Sequence, residues 1–407
     1  MKLRLIALGI VLTVFCSWQE QGPAFRSAQE IHDAIGVGWN LGNTLEAYGG
    51  KAVGLRTETS WGNPLVSREM IQKVKGAGFN AIRIPVRWYP HMSENAQGES
   101  LIDTEWMDRV QQVVDWCLEE DLITIINTHH DLWLESHPFY ADSAQVLKKE
   151  RQLWAQVAGR FRDYDDRLLF AGTNEVHLPG QWGQATPEQG DMQNIFNQVF
   201  VNTVRATGGN NWNRNLVVQT YYCAPVHNAG LFVAPEDPAE NHLLVEVHLY
   251  EPSTYAMLGI EKYWGAEYLD EILAEEIPTS ISQASPEQIK AYLEGKRLNP
   301  ETDEERMEKL FVGIRESLQP WNLPVILGEC GASRWSAFDA DDTDRKAMSR
   351  RYYHENLVRI SKENGMVPFF WDNGDTGIGT ECFGLFDRKH GMKGDRMAIE
   401  GILSGLK

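Results

Sequence analysis

Leu168-Leu169-Phe170-Ala171-Gly172-Thr173-Asn174-Glu175 is an apolar run closed by a carboxylate, and Val325-Ile326-Leu327-Gly328-Glu329 repeats the plan. A short apolar run next to glycine suits a strand buried on both faces, the kind that parallel sheets contain. If both strands belong to one parallel barrel, their carboxyl ends open on one face. Acids far apart in the chain then meet at one mouth.

Outward from these two runs, six more strand candidates complete a set: Val37 to Asn40, Ala81 to Pro85, Ile123 to Asn127, Leu216 to Gln219, Leu243 to Val247 and Val367 to Trp371. Between them, apolar positions recur every three or four residues, as at Trp106, Val110, Val113 and Cys117, or Leu147, Trp154, Val157 and Phe161. That spacing predicts helices with one face on the sheet. Gly78 and Gly365 follow two of them, Met70 to Ala77 and Lys346 to Asn364, where left-handed caps are expected. The fold class is therefore α/β. A (β/α)8 TIM barrel leads, with an open doubly wound sheet as the alternative; no glycine-rich phosphate loop follows any strand. Long connections are expected after strand one (41–67), strand three (128–145), strand six (248–304) and strand eight (372–396). All leave the carboxyl-terminal face, so they should wall one cleft. The segment 251–304 is an insertion large enough for a small helical subdomain. Its Tyr255, Tyr263, Trp264 and Tyr268 either pack it or line the cleft.

Composition bounds the partners. The 407 residues are 43% hydrophobic and 23% charged, as in an ordinary globular protein, with a formal charge of -19 that disfavours nucleic acid and anionic membrane. Residues 1–16 carry two cations and an apolar run too short to span a bilayer, which reads as an export signal, with 17–28 as a linker. A secreted or cell-surface protein is expected, and Cys16 is where an outer-membrane lipid anchor would attach. Cys117, Cys223, Cys330 and Cys382 show no zinc or disulfide spacing and are expected buried and free.

Two carboxylates at a barrel mouth suit acid/base and nucleophilic work on a glycosidic bond. Eight motifs carry the point further: Gly38-Trp39-Asn40-Leu41-Gly42-Asn43-Thr44, Thr59-Ser60-Trp61-Gly62-Asn63-Pro64, Ile82-Arg83-Ile84-Pro85-Val86, Asn127-Thr128-His129-His130, Thr173-Asn174-Glu175, Val247-His248-Leu249-Tyr250, Leu327-Gly328-Glu329 and Phe370-Trp371-Asp372-Asn373-Gly374. In this order, from about residue 29 to the C-terminus, they resemble glycoside hydrolase family 5, especially its bacterial endoglucanase and xyloglucanase branch. The resemblance implies a retaining endo-β-1,4-glucanase acting by double displacement on β-glucan or xyloglucan, without cofactor or metal. It implies Glu175 as acid/base and Glu329 as nucleophile, with Arg83 and Tyr250 hydrogen bonded to Glu329. Asn174 would hold the sugar 2-hydroxyl, His129 and His248 orient acid and sugar, and Trp371 stack under the ring. Asn43, Trp61 and His130 join the substrate-binding set, His130 being as readily packed under its loop as on sugar. Of Trp61, Trp133, Trp182 and Trp335, two are expected to bind substrate. Val176 stands where the family usually has proline.

Three alternatives differ in kind: an endo-β-mannanase of the same family, a metal-dependent barrel hydrolase using His129, His130, His248 and a carboxylate, and a noncatalytic glycan-binding surface protein. The protein is expected to act as a monomer on its polysaccharide.

Overall fold

The structure is a computed structural model that describes residues 25–181, 183–268 and 302–407. The leader 1–16, Cys16, most of the linker, Trp182 and much of the 251–304 insertion lie outside the described residues.

Eight strands form a closed parallel barrel: β1 Gly38–Asn40, β2 Ala81–Ile84, β3 Ile123–Asn127, β4 Leu168–Ala171, β5 Leu216–Gln219, β6 Leu243–Leu249, β7 Val325–Cys330 and β8 Met366–Phe370. All eight expected strands are present, and the closed order settles the barrel against the open sheet. Around it run α1 Ala28–Ala34, α2 Arg68–Gly76, α3 Thr104–Glu119, α4 Ser143–Arg160, α5 Pro187–Ala206, α6 Asp303–Leu318, α7 Arg345–Glu363 and α8 Arg396–Ser404. Side-chain caps start them where the chain supplies an acceptor: Ser27, Thr186 and Thr302 each form a reciprocal box with the residue three on. Gly78 at φ 107° and Gly365 at φ 71° follow α2 and α7 in the left-handed region.

Two connections depart from the expected pattern. β5 and β6 are joined by short turns, Tyr221–Cys223, Pro225–Asn228 and Ala229–Leu231, instead of a full helix. The β2 connection carries a small antiparallel pair, Met92–Glu94 with Ser100–Ile102, that periodicity over three residues cannot announce.

Inside the barrel the filling changes from one end to the other. At the amino-terminal end, Ala81, Ile123, Ile125, Leu169, Val217, Leu244, Ile326 and Val367 form an apolar floor, closed from below by Ala28, Ile31 and Ile35 of α1. α1 is tied across the strand starts by Ala28 N–H to Asn241 O, 2.7 Å, and His32 Nε2 to Val325 O, 3.1 Å. Burying each large aliphatic there contributes about 1.5–3 kcal/mol. One level up, Asn40, Arg83, Gln219 and Glu246 are completely buried and polar.

The aromatics of the β6 connection prove to pack. Tyr255, Tyr263, Trp264 and Tyr268 are all buried, with Tyr255 and Trp264 on Tyr353 and Tyr268 on Tyr352, so they fasten the segment to α7.

Candidate active site

β7 reaches the mouth through an irregularity. Its register against β6 pairs Leu327 with Val247 and Glu329 with His248, so Gly328 is an extra residue. Because strand side chains alternate faces, an odd insertion reverses parity. Ile326 faces the barrel interior, Leu327 the outer core, and Glu329 turns inward again beside His248. Cys330 then points outward, its Sγ 3.5 Å from Phe369 O, and burial pushes its thiol up, so it is no nucleophile.

Glu329 is held from two sides. Arg83 Nη1 donates to Oε1 at 3.0 Å and Tyr250 Oη to Oε2 at 3.0 Å. Arg83, placed by β2 and fully buried, also donates to Asn40 Oδ1 at 3.0 Å and Asn174 Oδ1 at 2.8 Å. Its Nε lies 2.8 Å from Glu246 Oε1. Burial pushes the Tyr250 phenol up and the Glu329 charge pushes the same way, so it stays a donor.

Glu175 stands four residues past the end of β4, on a loop pinned below it. Thr173 N–H and Oγ1 donate to Gln219 Oε1 at 3.0 and 3.1 Å, and Gly172 O accepts from Thr128 Oγ1 and Trp154 Nε1 at 3.1 Å each. Val176, in the place of the family proline, is wholly buried among Leu134, Val146, Met192 and Phe196. It anchors by packing what a proline would stiffen by covalency. The Glu175 carboxylate accepts from His248 Nδ1 at 2.6 Å. One oxygen of Glu175, one of Glu329 and a ring nitrogen of His248 all lie within 4.8 Å of one another. That closeness is consistent with the carboxyl separation of about 5 Å that double displacement uses.

The electrostatics centre on His248. Burial disfavours its charge, but Cys223, then Glu329, and the hydrogen bonds to Cys223 and Glu175 push it well above an ordinary imidazole. Its partner Glu175 feels burial upward, while the hydrogen bond and charge of His248, with His177 and His130 behind them, together pull it below the usual range. Glu329 is pushed up by burial, pulled back by His248 and Arg83, and pushed up again by Glu175 and Glu246. Glu175 and His248 thus share one proton along a single 2.6 Å hydrogen bond.

One pocket opens beside Glu175 and another lies by Trp61. One, about 280 Å³, is lined by Glu175, Tyr222, His248, Tyr250 and Met257. The other, about 410 Å³, is lined by Asn43, Trp61, Asn63, Asn373, Glu381 and Lys389. Trp61 is 39% exposed, its Nε1 tied to Tyr48 O at 2.9 Å. An aromatic row runs inward from it: His130 edge-on at 5.9 Å, His129 at 4.4 Å, then Trp371 parallel to His129 at 5.8 Å. Trp371 follows β8 and lies over Gly42, where a Cβ would come within 2.8 Å of the indole. Of the other tryptophans, Trp133 packs against the core under Lys149 and Trp335 against Gly259. His130, at φ 56°, donates its N–H to Glu135 at 2.9 Å; burial and Arg87 push its ring down to about 4.

The structure thus brings together Arg83, His129, Asn174, Glu175, His248, Tyr250 and Glu329, with Trp371, His130, Trp61 and Asn43 extending one side. Among the described residues, the group of three acids and histidines close enough to share an ion is Glu175, His248 and Glu329; His129 and His130 fall outside it. His129 accepts from Asn127 Nδ2 at 3.2 Å and stacks on Trp371. Sequence reading missed Glu246 and Gln219. The signal for Glu246 was there: an acid inside Leu243-Leu244-Val245-Glu246-Val247-His248, two residues before His248 and so on the same face.

A family model described as cellulase, glycosyl hydrolase family 5, matches residues 45–377. A xyloglucan-specific endo-β-1,4-glucanase of Bacteroides ovatus is 34% identical over 388 residues, 93% of this chain and 70% of that protein. A Bacteroides ovatus family 5 xyloglucanase solved with an XXXG heptasaccharide superposes with TM-score 0.77 at 32% identity, covering 95% of this chain and 78% of that one. A broad-specificity endoglucanase from Ruminococcus champanellensis with bound cellotriose gives TM-score 0.75 at 31% identity, covering 93% and 99%. With these likenesses spanning the barrel and the loops that carry the acid pair, the chain belongs to glycosyl hydrolase family 5, the cellulases, and is a glycoside hydrolase.

Proposed function

We propose that this protein is an exported, retaining endo-β-1,4-glucanase that cuts internal bonds of β-glucan or xyloglucan by double displacement. The observation that carries the reading is the carboxylate pair within 4.8 Å, one member fixed by Arg83 and Tyr250 and the other sharing a proton with His248. The glucan ligands held by two family neighbours support the substrate class.

In the first step Glu329 attacks the anomeric carbon while Glu175 gives its proton to the departing oxygen, leaving a glycosyl ester on Glu329. In the second, Glu175 takes a proton from water, which attacks the same carbon and frees Glu329. Before the first step that shared proton must be transferred to the Glu175 side of the 2.6 Å hydrogen bond. A sugar that excludes water and puts a basic oxygen beside Glu175 favours that transfer. Glu175 has the more open side chain, 25% exposed against 8% for Glu329, as a group that must meet a leaving oxygen and then a water should. Asn174 is oriented by Arg83 toward the 2-hydroxyl role, and Trp371 offers its indole to the apolar face of the ring.

An activated 2-deoxy-2-fluoro-β-cellobioside should add one glycosyl mass to the peptide containing Glu329; a label elsewhere, or an inverted product anomer, overturns the mechanism. Carboxymethylcellulose, barley β-glucan and xyloglucan should be cut faster than mannan or xylan. Mannan as best substrate would replace the glucanase reading, and binding without turnover would leave a glycan-binding protein. Turnover abolished by EDTA and restored by zinc would replace the acid pair by a metal. Fractionation of producing cells tests the export inferred from residues 1–16.

A further inference from the structure

The interior level beneath the acids contains a third glutamate that touches neither pocket. Glu246 lies on β6, completely buried, and three side chains converge on it: Arg83 Nε at 2.8 Å, Gln219 Nε2 at 2.7 Å and His248 Nε2 at 3.3 Å. Each of the three reaches a different part of the catalytic arrangement. Arg83 holds Glu329 and Asn174, His248 holds Glu175, and Gln219 holds the Thr173 segment that leads to Glu175. Space for the carboxylate comes from the β7 irregularity itself. A Cβ on Gly328 would sit 1.8 Å from Glu246 Oε1, so the residue that turns Glu329 inward also makes room for Glu246.

Resting on the glucanase reading, we propose that Glu246 is a positioning residue that fixes both halves of the acid pair, orienting Arg83 under the nucleophile and holding the His248 proton toward the acid/base. A carboxylate accepting from Nε2–H leaves Nδ1 directed at Glu175, so the ring cannot turn away without breaking two contacts. Its charge also balances two buried cations. Burial raises its own acidity range, but Arg83 and His248 hold it down to about 2, so it is ionised wherever the protein works. His248 is faced by His129 after β3, Glu175 after β4, Tyr222 and Cys223 after β5, Glu246 on its own strand, and Glu329 and Cys330 on β7, while Arg83 pairs with Glu246 and Glu329. Burial, Glu246 and Glu175 push the Cys223 thiol up to about 12, against the charge and hydrogen bond of His248, which pull it down.

Removing the Glu246 charge makes the Glu175–His248 pair release its last proton more easily. Glu246→Gln should therefore move the alkaline limb of kcat/KM on barley β-glucan down by about one pH unit or more, the effect of one charge at this range. At neutral pH, kcat should drop by about tenfold or more while KM changes by less than about threefold. Glu246→Asp keeps the charge and shortens the reach; it should hold the alkaline limb within about 0.3 unit of the parent while losing kcat. A Glu246→Gln protein whose activity falls equally at every pH, with the limb unmoved, overturns the proposal and leaves a structural role. If Glu246→Gln fails to fold, a Glu246→Asp protein with parental kcat, or with a displaced limb, overturns it instead. The parent run in parallel separates the two readings: a parent without β-glucan turnover fails the glucanase assignment, whereas an active parent with an unmoved variant fails this inference alone.

Discussion

The two ends of the barrel interior solve opposite problems with the same eight strands. At the floor, Ile123, Ile125, Leu169, Leu244, Ile326 and Val367 meet α1 with no charge among them. At the mouth, Arg83, Glu246, His248 and Glu329 are buried together, paired with one another and with Asn40, Asn174, Gln219, Glu175 and Tyr250 around them. The floor gains free energy from water release and is indifferent to direction. The mouth costs desolvation, offset by ion pairing, and is exact in direction. The difference teaches where stability and chemistry reside: truncation at one end should lower the stability of the protein without touching the reaction, and neutralisation at the other should stop the reaction in a folded protein.

The sharpest break would come at the mouth. Glu329→Ala and Glu175→Ala should each lower turnover of β-glucan by at least about a thousandfold, about 4 kcal/mol of barrier, with melting temperature near the parent's. Near-full activity in either variant would remove that residue from the reaction. Next comes the floor, where Ile125→Ala should cost about 2–5 kcal/mol in denaturant unfolding with kcat at low temperature within about twofold. A large loss of kcat in the folded variant would mean that the two ends are coupled.

A third prediction asks whether acid sensitivity belongs to the mouth alone. His91 lies between the β2 connection and α3, stacked on Trp106 at 3.7 Å with Nε2 3.2 Å from Thr57 Oγ1, and burial pushes it down to about 4. The unfolded chain takes up its proton near 6.5, the folded one near 4, so stability is lost as pH falls through that window. His91→Phe keeps the stack and should flatten the decline of melting temperature between pH 6.5 and 4 by roughly one or two degrees; an unchanged slope would return all of the acid sensitivity to groups such as His130. Smallest is the cleft's outer edge. Trp61→Ala should raise KM for a long β-glucan by about five- to tenfold, near 1 kcal/mol, with kcat unchanged. A fall in kcat would extend the reacting centre outward to the Trp61 row.

Local pattern made much of this legible. Apolar runs, capping residues and Gly78 or Gly365 act over a few positions, so strands, helix ends and barrel class could be read directly. The site residues were reachable because motifs sit at strand ends, which one parallel barrel gathers on one face. Tyr255, Tyr263, Trp264 and Tyr268 were not decidable in this way, since an aromatic at a loop position serves packing and sugar stacking equally. Their burial on α7 is a tertiary outcome.

By itself, then, the chain determined eight strands with helices between most of them, two glutamates at or just past strand ends and the motifs that accompany them, because hydrophobic periodicity and short motifs are properties of neighbours along the backbone. Only the tertiary structure decided that Gly328 reverses the parity of β7 to aim Glu329 inward, and that Glu246 occupies the room this leaves beneath His248 and Arg83. Register and shared space are set between strands, and no single strand encodes them.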